Sequence, residues 1–133
     1  MDKVGKHEEQ LDKAGLKRFK ELETHGVRRL GPTKASEKVG VFSFLVPGVR
    51  HELVSAILNH EHAIATRNGC FCAQPLVSKL LGIGSMGQFA SAMARGEAVE
   101  LPGATRATLG IYNTEADVDA TVEPVGAMWK AAG

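Results

Sequence analysis

Val39-Gly40-Val41-Phe42-Ser43-Phe44-Leu45-Val46-Pro47-Gly48 decides the fold. Phe42, Phe44 and Val46 alternate with Val41, Ser43 and Leu45, the period-2 pattern of a strand over 39–46. Apolar side chains on both sides predict that both faces are covered. Pro47-Gly48 turns the chain. Upstream, Leu11, Gly15, Phe19 and Leu22 share one face of a helix over 6–24, with Lys and Glu on the others. Thr24-His25-Gly26 supplies its stop, the glycine being free to turn left-handed. Residues 27–30 read as a short strand ended by Gly31-Pro32. Downstream, Val49, Leu53, Ala56 and Ile57 mark an amphipathic helix to about residue 59.

Residues 63–66 read as a short strand, and Asn68-Gly69 as a turn that leaves Cys70 and Cys72 in a loop. Pro75 suits the first turn of a helix that points Leu76, Leu80 and Leu81 inward. Residues 82–103 are rich in glycine and small side chains, with one extra helix over 88–95. A strand is expected over 106–111. Thr114-x-x-Asp117 is a capping-box signature. Val118, Val122, Val125 and Trp129 then follow at helical spacing, and Pro124 is expected to kink that helix. Short strands interleaved with helices predict one α+β domain over 1–133, a two-layer sandwich with a small, mostly antiparallel sheet and helices mainly on one face.

Composition sets bounds on function. The 133 residues are 44% hydrophobic and 23% charged, with a net charge of +1. That is ordinary for a globular domain and points to neither nucleic acid nor acidic lipid. The basic start reads as a solvated helix face. No apolar run approaches the roughly 20 residues that span a bilayer. The charged start from Asp2 onward lacks an apolar signal core, so a cytoplasmic location is expected. Two cysteines one residue apart make no disulfide framework, and a disulfide across so small a ring would be strained.

Two segments carry candidate chemistry. Arg67-Asn68-Gly69-Cys70-Phe71-Cys72-Ala73-Gln74-Pro75 places a thiol on a turn before a helix. Exposure, the helix start at Gln74-Pro75 and Arg67 would favour the thiolate of Cys72; a buried, inert thiol is the plainer alternative. Thr105-Arg106-Ala107-Thr108-Leu109-Gly110-Ile111-Tyr112-Asn113-Thr114 sets Arg106 at the start of an apolar run. Its guanidinium offers a planar fork matched to a carboxylate, and a solvated surface charge is the plainer reading. Tyr112 and Asn113 read first as strand end and turn.

The two segments together resemble the C-terminal part of class V aminotransferases, nearest to cysteine desulfurases and selenocysteine lyase-like enzymes, whose cysteine motif reads Arg-Ser-Gly-His-His-Cys-Ala-Gln-Pro. The resemblance extends to His7-Glu8-Glu9-Gln10-Leu11, Gly26-Val27-Arg28-Arg29-Leu30-Gly31-Pro32 and Val41-Phe42-Ser43-Phe44. It implies the small domain of a pyridoxal-phosphate enzyme, with Cys72 as the persulfide-forming thiol and Arg106 as the anchor for the substrate carboxylate. Arg67, Asn68, Cys70, Gln74, Tyr112 and Asn113 would form the supporting frame. Cys70 and Phe71 stand where that motif has two histidines, which removes possible proton carriers; a Gly-Cys-Phe-Cys run also resembles molybdenum-cofactor sulfurases.

The resemblance further implies that the Schiff-base lysine, the aspartate for the pyridine nitrogen and the phosphate cup belong to a large domain absent from this sequence. Met1 would fall in the helix joining the two domains, and surface lysines such as Lys79 are not substitutes. No cofactor is expected to bind this chain unaided. A homodimer or a separate pyridoxal-phosphate-binding partner is expected, since a face cut from its large domain exposes apolar surface. A stand-alone sulfur carrier or binding module is the alternative.

Two other patterns are weaker. Gly82-Ile83-Gly84-Ser85-Met86-Gly87 matches a dinucleotide-binding glycine pattern but follows a helix and lacks a βαβ unit. His60-x-His62 with Cys70-x-Cys72 gives four soft ligands at spacings foreign to zinc knuckles. Neither a metal nor a nucleotide is expected.

Overall fold

Alternating burial along β2 (Val41–Leu45) divides the molecule into two layers: Phe42 and Phe44 are buried, while Val41, Ser43 and Leu45 are half-buried. The computed structural model describes residues 2–84 and 86–133, so Met1 and the Ser85 of the glycine pattern lie outside the described residues. The order is α1 (Asp2–Glu23), β1 (Arg28–Leu30), a 3-10 turn (Ala35–Glu37), β2, α2 (His51–His62), β3 (Arg67–Gly69), α3 (Gln74–Leu81), α4 (Met86–Ala94), β4 (Ala104–Thr108) and α5 (Glu115–Ala132). The four strands form an antiparallel sheet in the order β1-β2-β4-β3. This is the expected α+β sandwich.

The inner face carries the core. Phe42, Phe44, Val46 and Ala107 pack with Phe19 and Leu22 of α1, Val54 and Leu58 of α2, and Val125 and Met128 of α5. Phe19 stacks on Phe42 at 5.3 Å and tilts against Phe44 at 5.2 Å. Helix α1 approaches the sheet closely because Gly15 has no side chain: a Cβ there would lie 2.3 Å from the Phe42 ring. The buried Asp12 carboxylate accepts the Gly40 N–H with both oxygens, at 3.1 and 3.2 Å, and ties α1 to the start of β2. Burial raises the Asp12 pKa above the ordinary carboxylate value, against the opposing pull of the Gly40 bond and Lys38. Arg18 pairs with Asp119 and joins α1 to α5.

Several boundaries differ from the sequence reading. Residues 63–66 are not a strand. Helix α2 runs on to His62 and ends with Ala63 in the left-handed conformation (φ 55°). The edge strand therefore comes later and contains Asn68-Gly69, which was read as a turn. Strand β4 starts earlier than expected, with Ala104 and Thr105 both buried, and stops before the turn at 110–113.

Helix α2 buries Val54 and Leu58, leaving Leu53 exposed, and α3 buries Val77, leaving Leu76 exposed. Both helices are rotated from the faces inferred from leucine spacing. Pro124 lies inside one continuous α5 and is buried, so the helix is not broken there. The capping box forms: the Asp117 carboxylate accepts the Thr114 backbone N–H at 2.7 Å. Gly82 caps α3, so the glycine pattern opens at a helix C-terminus and not after a strand.

Candidate functional site

The outer face of the sheet carries one row of residues that crosses all four strands. Leu30 pairs with Ser43, Ser43 with Arg106, and Arg106 with Arg67. Residues directly opposite in a ladder point to the same face. The row thus runs from a buried leucine to two arginines side by side. Like charges facing each other across a strand pair are unfavourable without an anion between them. Among the described residues neither arginine has an ion-pair partner, and the Arg106 Nε is buried with no hydrogen-bond partner.

A cavity of about 310 Å³ opens over Leu30, Ser43 and Arg106 of this row. Leu30, Val39 and Val41 form one wall, and Leu76, Val77 and Leu80 of α3 form the other, with Arg106 as the cationic group beside them. Phe71 closes one side, its ring 5.0 Å from the Arg106 Cζ. That cation–π distance holds the guanidinium against a flat apolar surface and leaves its edge for a ligand. Glu37 and Lys38 also line the cavity, and a mostly apolar cavity with a few charged groups is the pattern of a small-molecule site.

The cysteine turn lies beside the cavity. The Ala73 N–H donates to the Cys70 carbonyl at 2.8 Å, so residues 70–73 close a tight turn. Its two central residues, Phe71 (φ 54°) and Cys72 (φ 59°), are both left-handed, as in a type I′ turn. Glycine or asparagine is usual there; for Phe and Cys the conformation costs on the order of 1 kcal/mol each and needs external support. The Cys72 thiol is exposed and free. Cys70 is half-buried, and its thiol donates to the Pro102 carbonyl at 3.2 Å.

The remaining predicted residues divide. Arg67 and Asn68 sit in β3, and Gln74 begins α3, so all three frame the turn. Tyr112 and Asn113 lie away from it: they line a different depression with Ile64 and Ala120. Tyr112 is 84% exposed. Asn113 accepts the Gly110 N–H with its side chain at 2.7 Å and receives a bond from His7 on its backbone carbonyl, so it shapes the entry to α5. Phe71, Ser43 and the Leu101–Gly103 segment were not identified from sequence as site residues. The aromatic beside the cysteine was noted only as a missing histidine, and residues 82–103 were read as a stretch rich in glycine and small side chains with one extra helix.

The lining does not fit pyridoxal phosphate. Lys38 is the lysine at this cavity, but its ammonium donates to the Val41 carbonyl at 2.5 Å and lies 4.3 Å from the Phe42 ring centroid. Burial lowers its pKa, yet the amine is directed toward the core. The acid beside it, Glu37, is on an exposed 3-10 turn and faces no pyridine position defined by a second group. Among the described residues, no group of three or more His, Cys, Asp or Glu side chains could hold a metal ion, and no helix is long and apolar enough to cross a membrane.

Comparison with known proteins gives a consistent set of relatives. The family profile described as Aminotransferase class-V matches residues 1–121. A probable cysteine desulfurase of Streptomyces coelicolor is 31% identical over 123 residues, which is 92% of this chain and 24% of that protein. One from Halalkalibacterium halodurans is 31% identical over 120 residues, covering 90% and 23%. The apo structure of a cysteine desulfurase from Thermococcus onnurineus superposes with a TM-score of 0.69 at 29% identity, covering 92% of this chain and 26% of that one. The chain thus spans about a quarter of the length of the curated relatives it matches.

Proposed function

The chain belongs to the class V aminotransferase family, and on that premise we propose that it supplies the small-domain half of a cysteine desulfurase-like site: a sulfur-accepting thiol, Cys72, and a carboxylate anchor, Arg106. The observation that carries this reading is the pair of arginines facing each other on one sheet face, with the Arg106 Nε buried and unpaired beside an apolar cavity. A carboxylate seated in the cavity gains charge-assisted bonds from the Arg106 guanidinium.

Cys72 acts as a nucleophile through its thiolate. It attacks the terminal sulfur of a persulfide donor, the donor leaves as its thiolate, and Cys72 holds the transferred sulfur. The turn keeps the thiol exposed, so a donor or acceptor can reach it. Phe71 has no ionisable group, so proton transfer near the thiol falls to solvent or to a partner. Desulfuration of cysteine needs pyridoxal phosphate as an electron sink. The residues here do not fit that group, and these 133 residues are inactive as a desulfurase without a cofactor-binding domain. A stand-alone sulfur carrier shares the same thiol chemistry and is favoured by the exposure of Cys72.

Two measurements test the reading. Purified chain with pyridoxal phosphate and L-cysteine is expected to release no sulfide; release that disappears in Cys72→Ala overturns the inactivity claim. Titration with a short aliphatic carboxylate, followed by NMR, is expected to shift the resonances of Phe71, Leu76 and Val41 in the native chain and not in Arg106→Gln. Equal shifts in both proteins contradict the anchor role.

A further inference from the structure

The segment Leu101–Gly103 grips the cysteine turn from behind. On one side the His51 Nε2 donates to the Leu101 carbonyl at 3.1 Å, fixing the segment to the start of α2. The Thr105 hydroxyl donates to the His51 carbonyl at 3.2 Å and fixes it again just downstream. On the other side Gly103 lies so close to β3 that a Cβ there would sit 2.7 Å from the Gly69 Cα and 2.6 Å from the His51 Nε2. Into this clasp the Cys70 thiol donates its proton, to the Pro102 carbonyl at 3.2 Å. The next two residues, Phe71 and Cys72, hold the left-handed conformation that side chains of their kind rarely adopt. A strained turn persists only where its surroundings over-determine it. The ladder fixes it on one side through Gly69 and the Ala73–Cys70 bond closes it; the Cys70 thiol is the side-chain contact that ties it to the clasp.

We propose that Cys70 is a positioning residue. Its S–H bond to Pro102 locks the Phe71–Cys72 turn, so that the ring of Phe71 stays on Arg106 and the thiol of Cys72 stays exposed beside the cavity. The two cysteines thereby have different roles. Donation to a carbonyl uses the proton that a nucleophilic thiolate must lose, so Cys70 anchors and Cys72 reacts. The role rests on the reading of Cys72 as the sulfur acceptor.

The test compares Cys70→Ala and Cys70→Ser with the native chain. Serine keeps a donor at the same place and alanine removes it. NMR couplings and Cα shifts of Phe71 and Cys72 report the left-handed conformation. The rate of sulfur loading onto Cys72 from inorganic polysulfide, followed by peptide mass, reports the consequence. Cys70→Ala is expected to lose the left-handed signature and to load on the order of tenfold more slowly, the scale of a misplaced reacting group, with an unchanged melting temperature. Cys70→Ser is expected to keep both native values.

A Cys70→Ala variant identical to the native chain overturns the proposal. So does a serine variant that behaves as alanine does, or native chain whose loaded sulfur is discharged by Cys70 as a disulfide. If Cys70→Ala does not fold, Gly103→Ala probes the same clasp from the other side and is expected to give the same pair of changes. If no variant takes sulfur at Cys72 while the couplings change as stated, the sulfur-acceptor reading fails and the clasp stands.

Discussion

Replacing Gly15 by alanine sets two effects of opposite sign against each other. In a helix interior alanine is favoured over glycine by about 1 kcal/mol. At this position the added methyl would sit 2.3, 2.8 and 2.9 Å from three atoms of the Phe42 ring. The ring has little freedom to retreat. It is 2% exposed, stacked on Phe19 at an interplanar angle of 7°, and lies under the Lys38 ammonium at 4.3 Å. Overpacking of this kind costs about 1–3 kcal/mol, and separations below 3 Å place it toward the upper end. The net expectation is destabilisation by roughly 1–2 kcal/mol, or several degrees in Tm for a domain of this length. Gly5 lies on the same helix with nothing within 4 Å of its Cβ position. Gly5→Ala is therefore the matched control, expected to be neutral or to stabilise by up to about 1 kcal/mol. Urea unfolding of both variants, with m-values checked for equality, decides it. A Gly15→Ala protein as stable as the Gly5→Ala protein would refute the close approach of α1 to β2.

Leu58→Ala, at a site with 0% exposure beneath the sheet, is expected to cost about 2–5 kcal/mol in the same assay. Thr114→Ala, at the start of α5, should cost about 1 kcal/mol and lower the helical circular dichroism signal at elevated temperature. The carboxyls of Asp117 and Asp119 are held below the ordinary range, the first chiefly by the Thr114 backbone N–H and the second chiefly by Arg18. Their stabilisation is complete above the unfolded-state pKa and is lost as pH falls through the depressed folded values. Asp12 has the opposite sign: burial raises its pKa, so its ionisation weighs against the fold as pH rises. Melting temperatures taken from neutral to acid pH should therefore fall less steeply in Asp117→Asn than in the native chain. Asp12→Asn, which keeps an acceptor for Gly40, should lose the native upturn that Asp12 protonation contributes.

The sequence was most informative where a periodic pattern met a strong punctuation mark. The alternation around Phe42, the Leu11-Gly15-Phe19-Leu22 face and the Thr114-Asp117 cap all took the expected structure, because each is set by local geometry that its own residues satisfy. It misled where local preference yields to tertiary pairing. Asn68-Gly69 has turn chemistry, yet it pairs as an edge strand because β4 offers Thr105 and Ala104 as partners. Leu53 and Leu76 fit a helical spacing, but the buried positions are Val54 and Leu58 in α2 and Val77 in α3. Cys72 and Arg106 were both legible as candidates. Their setting was not. The register that brings Arg67 opposite Arg106, the left-handed turn at Phe71 and the grip of residues 101–103 on Cys70 all arise from contacts distant in sequence. Tyr112 and Asn113 were grouped with Arg106 through the family resemblance, and the turn at 110–113 sets them at a different depression.

The most direct test of the account locates the sulfur. The reduced native chain, Cys70→Ser and Cys72→Ser are each exposed to a small-molecule persulfide donor, and the added sulfur is assigned by peptide mass spectrometry. The account predicts one added sulfur, on Cys72, in the native chain and in Cys70→Ser, and none in Cys72→Ser. Sulfur carried on Cys70, or equal loading of Cys72→Ser and the native chain, would contradict it.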